Sequence, residues 1–176
     1  MKVKPSIQVL FLDFDGVLNN NFFFIMRPHS SHIKKDLDFA ISQLDLGNML
    51  VLKYILTELP NLKIVLSTSW RNHFSIEIFE QIFDHFGIDK HRLIGETPIC
   101  GLHSDRYREI KSWLRDEKKS YIKSWMAIDD HYIFFEDNEE SLNEYHIDSY
   151  SGLTYRDAIK IIQHFNSDWK ETKINL

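Results

Sequence analysis

The 176-residue sequence lacks features that would assign it to several classes of protein. A single cysteine, Cys100, excludes an intramolecular disulfide and a zinc site made of several thiolates, so we expect a reducing, cytoplasmic location. No apolar run approaches the roughly 20 residues of a membrane-spanning helix. We therefore expect no membrane association and no secretory signal. The formal net charge of −5 argues against a general attraction to polyanions.

Proline and glycine are also scarce, and neither marks a linker. The chain has 4 prolines and 6 glycines, with no internal repeat and no low-complexity segment. Hydrophobic residues make up 43% of the chain and charged residues 27%, which is the balance of a globular protein. We therefore expect residues 1–176 to form one domain, with no obligate protein partner.

Apolar segments alternate with amphipathic ones along the chain. We predict helices at 48–59, 73–86, 105–119 and 154–165, and strands at 7–13, 62–67, 92–95 and 125–128. Asn48 is a candidate N-cap, and Thr154 with Asp157 fits a capping box. Strands that are apolar throughout need cover on both faces. The pattern therefore predicts a three-layer, Rossmann-like α/β fold with an open, mostly parallel sheet and helices on both faces.

Residues 19–47 do not follow this alternation. The segment has no clean period and contains Pro28, so we interpret it as a flap or minimal cap, or else as a long surface excursion. Three consecutive aromatic residues, Phe22 to Phe24, favour a packing role over shielding the site or stacking on a base.

Polar residues follow three of the predicted strands. Asp13 ends the first strand and Asp15 lies two residues further on. The segment 67–71 comes at the end of the second strand, and Asp129 with Asp130 follows the last. Ligands of parallel sheets bind beyond the carboxyl ends of the strands, so we expect these residues to meet. Neighbouring carboxylates repel each other unless a cation offsets them, and Mg²⁺ prefers such oxygen ligands. The sequence thus predicts a magnesium site.

Four segments resemble, in order, the motifs of the haloacid dehalogenase (HAD) superfamily. They are LFLDFDGVLNN, IVLSTSWR, RYREIKSWL and AIDD, and together they extend over roughly residues 7 to 130. STSWR, REIKSWL and GLT at 152–154 more closely resemble one branch, the phosphatase-like domain of multidomain RNA repair proteins. The resemblance implies a HAD-like fold and a magnesium-dependent phosphatase, that is, a phosphoric monoester hydrolase.

The resemblance also implies roles for the four acidic residues. Asp13 is expected to be the nucleophile that forms an aspartyl-phosphate. Asp15 is expected to be the general acid and base, and its main-chain carbonyl to bind Mg²⁺. We expect Asp129 to be a direct metal ligand, along with Asp13, and Asp130 to be a direct or water-mediated one.

Residues of the first two motifs are expected to bind the substrate phosphate. Ser67 would donate a hydrogen bond to it, and Thr68 or Ser69 would share the task. Gly16 would let the nucleophile loop turn sharply beside the substrate, because glycine tolerates backbone angles that other residues avoid. Arg71 has two interpretations: it reaches the phosphate, or it holds an acidic neighbour.

The third motif is expected to supply a cation that stabilises the transferring phosphoryl group. Arg106 stands where the superfamily usually has lysine, and Arg108 and Lys111 are the alternates. The basic segment 106–123 is interpreted as a solvated helix face, with contact to a phosphate-rich substrate as the alternative. His131 either lines the pocket or lies on the surface.

A minimal cap would leave the site open to bulky phosphorylated substrates. The resemblance favours a nucleotide or a nucleic acid end, and the basic helix agrees with this preference. Two alternatives stay open: a phosphoprotein phosphatase, and a non-catalytic module that binds a phosphorylated ligand.

Overall fold

A five-stranded parallel sheet lies at the centre of the computed structural model, which describes residues 6–26, 36–100, 105–115, 121–133 and 143–166. The strands are β1 (Ile7–Leu12), β2 (Leu62–Leu66), β3 (Leu93–Glu96), β4 (Ile122–Asp129) and β5 (Glu144–His146). Their order in the sheet is β3-β2-β1-β4-β5, and all four pairings are parallel. The predicted parallel α/β fold is confirmed.

Helices cover both faces of the sheet, as predicted. They are α1 (Asn21–Met26), α2 (Leu37–Ser42), α3 (Leu46–Glu58), α4 (Ile76–His85), α5 (Arg106–Leu114) and α6 (Tyr155–Phe165). Leu10 and Leu12 of β1 point into the larger core with α2, α3, α4 and α6, whereas Val9 and Phe11 pack against α5. This alternation follows from the two-residue period of a strand, and it makes β1 the buried centre of three layers.

Side chains cap the N-termini of α3 and α6. Asn48 does not cap α3, and that prediction was wrong: Asp45 is the N-cap and accepts the Asn48 main-chain N–H at 3.0 Å. The Asn48 side chain is buried instead and donates to the Leu153 carbonyl at 3.0 Å. The capping box of Thr154 and Asp157 at the start of α6 is confirmed.

Residues 19–47 contain more helix than their sequence indicated. α1, α2 and the first two residues of α3 lie there, while residues 27–35 are outside the described part of the chain. None of the α1 residues is buried, so Phe22 to Phe24 do not enter the core; they pack at the surface, where the Phe22 ring lies 6.3 Å from that of Tyr150 and the Phe23 ring 5.4 Å from that of Phe24. Within the described residues, no helix has the length and apolarity needed to cross a membrane.

Candidate active site

The register of the sheet brings three predicted site residues together. Leu12, the last residue of β1, pairs with the last residue of β2 and with the next-to-last residue of β4. Asp13, Ser67 and Asp129 therefore follow side by side at the carboxyl edge, where neighbouring strands lie about 4.8 Å apart. The Asp13 N–H donates to a β4 carbonyl at 3.2 Å, which holds this residue against β4. Carboxylates from two distant parts of the chain thus meet at one edge.

Arg106, the first residue of α5, reaches across this edge. Its Nη2 lies 3.2 Å from Asp13 Oδ1 and its Nε lies 3.7 Å from Asp129 Oδ2. Its Nη1 donates to the main-chain carbonyl of Ser67. Arg108, one of the alternates, is exposed and pairs locally with the helix cap at 3.1 Å. The structure therefore places Arg106, rather than Arg108, over the acidic pair.

The acidic pair beneath Arg106 is almost completely buried. Asp13 is 4% exposed and Asp129 is 1% exposed. Burial and the charge of Asp129 raise the pKa of Asp13 to about 7, although Arg106 opposes the shift. Burial also raises the pKa of Asp129 to about 6, again against the effect of Arg106. One guanidinium does not compensate two buried carboxylates, so this pocket has a deficit of positive charge.

The residues after β4 provide oxygens that fit a hard divalent cation. Asp129 Oδ1 accepts the His131 N–H at 2.9 Å, but among the described residues its buried Oδ2 has no hydrogen-bond partner. Asp130 lies against Gly16, whose φ is +71° and where a Cβ would overlap the Asp130 carboxylate. Ligand atoms of Asp129, Asp130 and His131 lie within 4.8 Å of one another. A buried carboxylate oxygen without a hydrogen bond and this clustering both agree with the predicted metal site.

His131 was the residue whose role the sequence left open. Its ring is exposed, with Nδ1 2.7 Å from Asp130 Oδ1. This hydrogen bond and the charge of Asp130 raise the pKa of His131. The ring therefore lies at the mouth of the site and bonds a predicted metal ligand.

Asp15 is exposed, and one of its oxygens is held by two donors. Trp70 Nε1 donates to Asp15 Oδ1 at 2.9 Å, and Asn19 Nδ2 donates to the same oxygen at 3.0 Å. Asn19 Oδ1 in turn accepts the Gly16 N–H at 2.9 Å, which closes the turn. The sequence analysis did not identify Trp70 or Asn19. The signal for Trp70 was an indole in the loop after β2, because a buried indole N–H normally needs an acceptor.

Hydroxyl groups of the loop after β2 line the acidic pair. Ser67 Oγ is buried and has no hydrogen-bond partner among the described residues, as expected of a donor reserved for a ligand. The buried Thr68 hydroxyl hydrogen-bonds to the Asp13 carboxylate. It also accepts a hydrogen bond from the main-chain N–H of Trp70 at 3.3 Å. Ser69 is exposed and begins a short 3-10 helix. Ser67 is thus the hydroxyl of the three that a ligand would satisfy.

Arg71 does not point toward a substrate, which corrects its predicted phosphate contact. Its Nη2 lies 2.5 Å from Glu109 Oε2, and the two side chains are 3% and 0% exposed. Its Nη1 donates to the Thr97 carbonyl at 2.8 Å. Arg71 therefore holds an acidic neighbour, the other interpretation of the sequence. Glu109 is on the same helix as Arg106, one turn away, so this buried ion pair links the loop after β2 to α5.

Comparison with known proteins identifies the family of the chain. A family model described as the HAD domain in Swiss Army Knife RNA repair proteins matches residues 9–158, which include every strand-end residue described above. No curated protein and no solved structure matches the chain. The family supports a phosphohydrolase of the HAD type that uses a divalent metal. Since the match extends over most of the sequence, the chain belongs to the family of HAD domains found in Swiss Army Knife RNA repair proteins.

Proposed function

We propose that this protein is a Mg²⁺-dependent phosphatase that transfers a phosphoryl group from an ester to Asp13 and then to water. One observation carries the proposal: the Arg106 guanidinium contacts both Asp13 and Asp129 in a buried pocket beside the unpartnered Ser67 hydroxyl. A nucleophile, a cation for the phosphoryl charge and an unused donor are the parts that phosphoryl transfer needs.

In the first step, an Asp13 carboxylate oxygen attacks phosphorus and forms an aspartyl-phosphate. The bond from phosphorus to the ester oxygen breaks, its electron pair goes to that oxygen, and Asp15 supplies the proton. Arg106 and Ser67 donate hydrogen bonds to the phosphoryl oxygens as their charge increases. In the second step, Asp15 takes a proton from water, whose oxygen attacks phosphorus and releases phosphate and Asp13. The exposed position of Asp15 suits a group that must exchange protons with solvent.

The metal in this proposal would be held by Asp13, Asp129 and Asp130, together with the Asp15 carbonyl. When bound, Mg²⁺ would neutralise charge on the substrate phosphate and in the pocket. The buried Oδ2 of Asp129, which accepts no hydrogen bond and lies 3.7 Å from Arg106 Nε, supports this assignment, as does the raised pKa of the neighbouring Asp13. A divalent cation would add the positive charge that Arg106 alone does not provide for two buried carboxylates.

We infer that the substrate is a nucleotide or a nucleic acid end. The family occurs in RNA repair proteins, which supports a phosphorylated polynucleotide. The described part of residues 19–47 contains two short helices and the first two residues of α3, which supports an open site that admits a large substrate.

Phosphate release from an aryl phosphate tests the reaction. We expect turnover with Mg²⁺, little turnover with a chelator, and none above background for Asp13→Asn, because amide nitrogen does not replace the nucleophilic oxygen. Asp84→Asn, an exposed substitution on α4, is the matched control and should keep the wild-type rate. A wild-type rate in Asp13→Asn would refute the proposed nucleophile.

A further inference from the structure

An exposed pair of stacked rings lies next to the candidate active site. The Tyr132 and His146 rings are parallel within 8°, with their centroids 4.2 Å apart. Tyr132 follows Asp130 by two residues and is 79% exposed, although it is one of the larger side chains of the molecule. With one face covered by His146, such exposure leaves the other face of the Tyr132 ring open to solvent.

The sheet fixes this pair close to the acidic residues. His146, the last residue of β5, is the register partner of Asp129 in β4. Its Nε2 lies 2.9 Å from the Asp130 main-chain oxygen, and because a carbonyl only accepts, Nε2 carries the proton. β5 is one strand from β4 and two from β1, so the backbones of His146 and Asp13 lie roughly 10 Å apart at ordinary strand spacing.

The geometry of this pair differs from that of the aromatic pairs in the core. Phe11 and Trp113 meet at 88°, and Phe14 and Phe79 meet at 90°, which is the edge-to-face packing of buried rings. Tyr132 and His146 instead stack in parallel, and the open face of Tyr132 is one on which a third aromatic ring can stack. An exposed tyrosine ring held in place beside a phosphate site has the form of a stacking surface for single-stranded nucleic acid.

We propose that the Tyr132–His146 pair binds the nucleobase of the nucleotide whose phosphate reaches Asp13. The inference rests on the proposed phosphatase function and specifies its substrate class: a phosphate attached to a nucleoside, not to a base-free sugar or a protein side chain. Because every base has an aromatic face, stacking here accepts different bases. The sugar of the same nucleotide then spans the gap between the ring pair and the acidic pocket.

The test compares phosphate release from substrates with and without a base. We would use RNA oligonucleotides phosphorylated at the 3′ or 5′ end, nucleoside monophosphates, and ribose 5-phosphate. Tyr132→Ala should raise KM for the substrates that contain a base by roughly tenfold, since stacking contributes about 1–3 kcal/mol per base. The kcat of these substrates, and both constants for ribose 5-phosphate, should stay near their wild-type values. Tyr132→Phe keeps the ring and should behave as wild type.

Tyr150→Ala is the matched control, because Tyr150 is 57% exposed and lies outside the ring pair. A wild-type kcat/KM that is higher for oligonucleotides than for mononucleotides identifies a nucleic acid end as the substrate, and a higher value for mononucleotides identifies a free nucleotide. Equal losses with ribose 5-phosphate, or no loss with any substrate, would overturn the proposal.

Two further outcomes separate this proposal from the proposed activity. If the wild type hydrolyses phosphopeptides but no phosphate attached to a nucleoside, the base site is overturned and the phosphatase stands. If it hydrolyses no ester, the phosphatase fails, and equilibrium binding of the phosphorylated RNA decides the base site. Weaker binding to Tyr132→Ala than to Tyr150→Ala then supports it, and equal binding overturns it.

Discussion

Asp13 and Asp15 are two residues apart in sequence, but their surroundings are opposite. Asp13 lies in a buried pocket with Asp129, and burial raises the pKa of both carboxyls. Asp15 lies at the exposed rim, where Trp70 and Asn19 hold one of its oxygens. The residue types are identical, so the environment alone distinguishes a buried carboxylate beside a second one from an exposed carboxylate held by two donors.

The residues that follow the two aspartates accompany this difference. Phe14, after Asp13, is fully buried in the core, while Gly16, after Asp15, takes a φ of +71° and turns the chain beside Asp130. Asp13 is held against β4 by its main-chain N–H, whereas Asp15 meets the indole of the loop after β2. Two aspartates separated by one residue therefore reach different environments because one is followed by a buried residue and the other by a left-handed glycine.

At the exposed rim, Asp15→Asn is expected to have the largest effect. Loss of a general acid and base should reduce steady-state turnover by roughly 10² to 10⁴-fold, because the amide neither protonates the leaving oxygen nor activates water. Asp13 is unchanged in this variant, so it should still become phosphorylated, although slowly. Acid quenching after a single turnover would measure the phosphorylated enzyme. An unchanged steady-state rate would refute the role of Asp15.

A smaller effect on turnover is expected for Trp70→Phe, which leaves Asp15 in place and removes only a hydrogen bond to it. This change removes one donor to Asp15 and keeps an aromatic ring next to Phe14 and Phe74. A hydrogen bond to a charged group contributes about 1.5–3 kcal/mol, so we expect kcat for an alkyl phosphate to fall roughly tenfold. Dinitrophenyl phosphate should lose less, because its leaving oxygen needs no proton. Phe74→Leu, which alters packing alone, should affect both substrates equally.

The comparison also explains which parts of the site could be predicted from the sequence. Asp13, Ser67 and Asp129 each follow an apolar run, and parallel strands bring such ends to one edge, so their meeting followed from local pattern. Arg106 begins a helix that the resemblance already aligned with the third motif. These predictions needed only the strand ends and the fold class.

Contacts between distant side chains were not predictable in this way. The bond from Trp70 to Asp15 and the ion pair of Arg71 with Glu109 join positions 55 and 38 residues apart. Arg71 follows Ser67, Thr68 and Ser69 closely, which suggested a phosphate contact. The packing of α5 against this loop after β2 instead gives it Glu109 as its partner. β5 was also missed, because its three residues show neither an apolar run nor a regular alternation.

The smallest expected effect concerns the buried pocket, where Mg²⁺ should stabilise the fold in a pH-dependent way. The folded-state pKa of Asp13 is raised from 3.8 to about 7, and that of Asp129 from 3.8 to about 6. Without metal, these carboxyls hold protons that the unfolded chain releases, so their contribution to stability is present below pH 4 and is lost as pH rises through 6 and 7.

Mg²⁺ must displace those protons to bind. Its effect on Tm should therefore appear at pH values at which the two carboxyls are ionised. At about ten times its Kd at pH 8, the ion should raise Tm by about 4 °C, and at pH 5 the same concentration should have little effect. Asp129→Asn removes one buried charge and should be more stable than wild type at pH 8 without Mg²⁺, yet respond less to the ion. Asp84→Asn should respond as wild type does. An equal rise in Tm at both pH values would mean that Mg²⁺ binds elsewhere. The buried pair of Asp13 and Asp129 would then not be the carboxylates that need a cation.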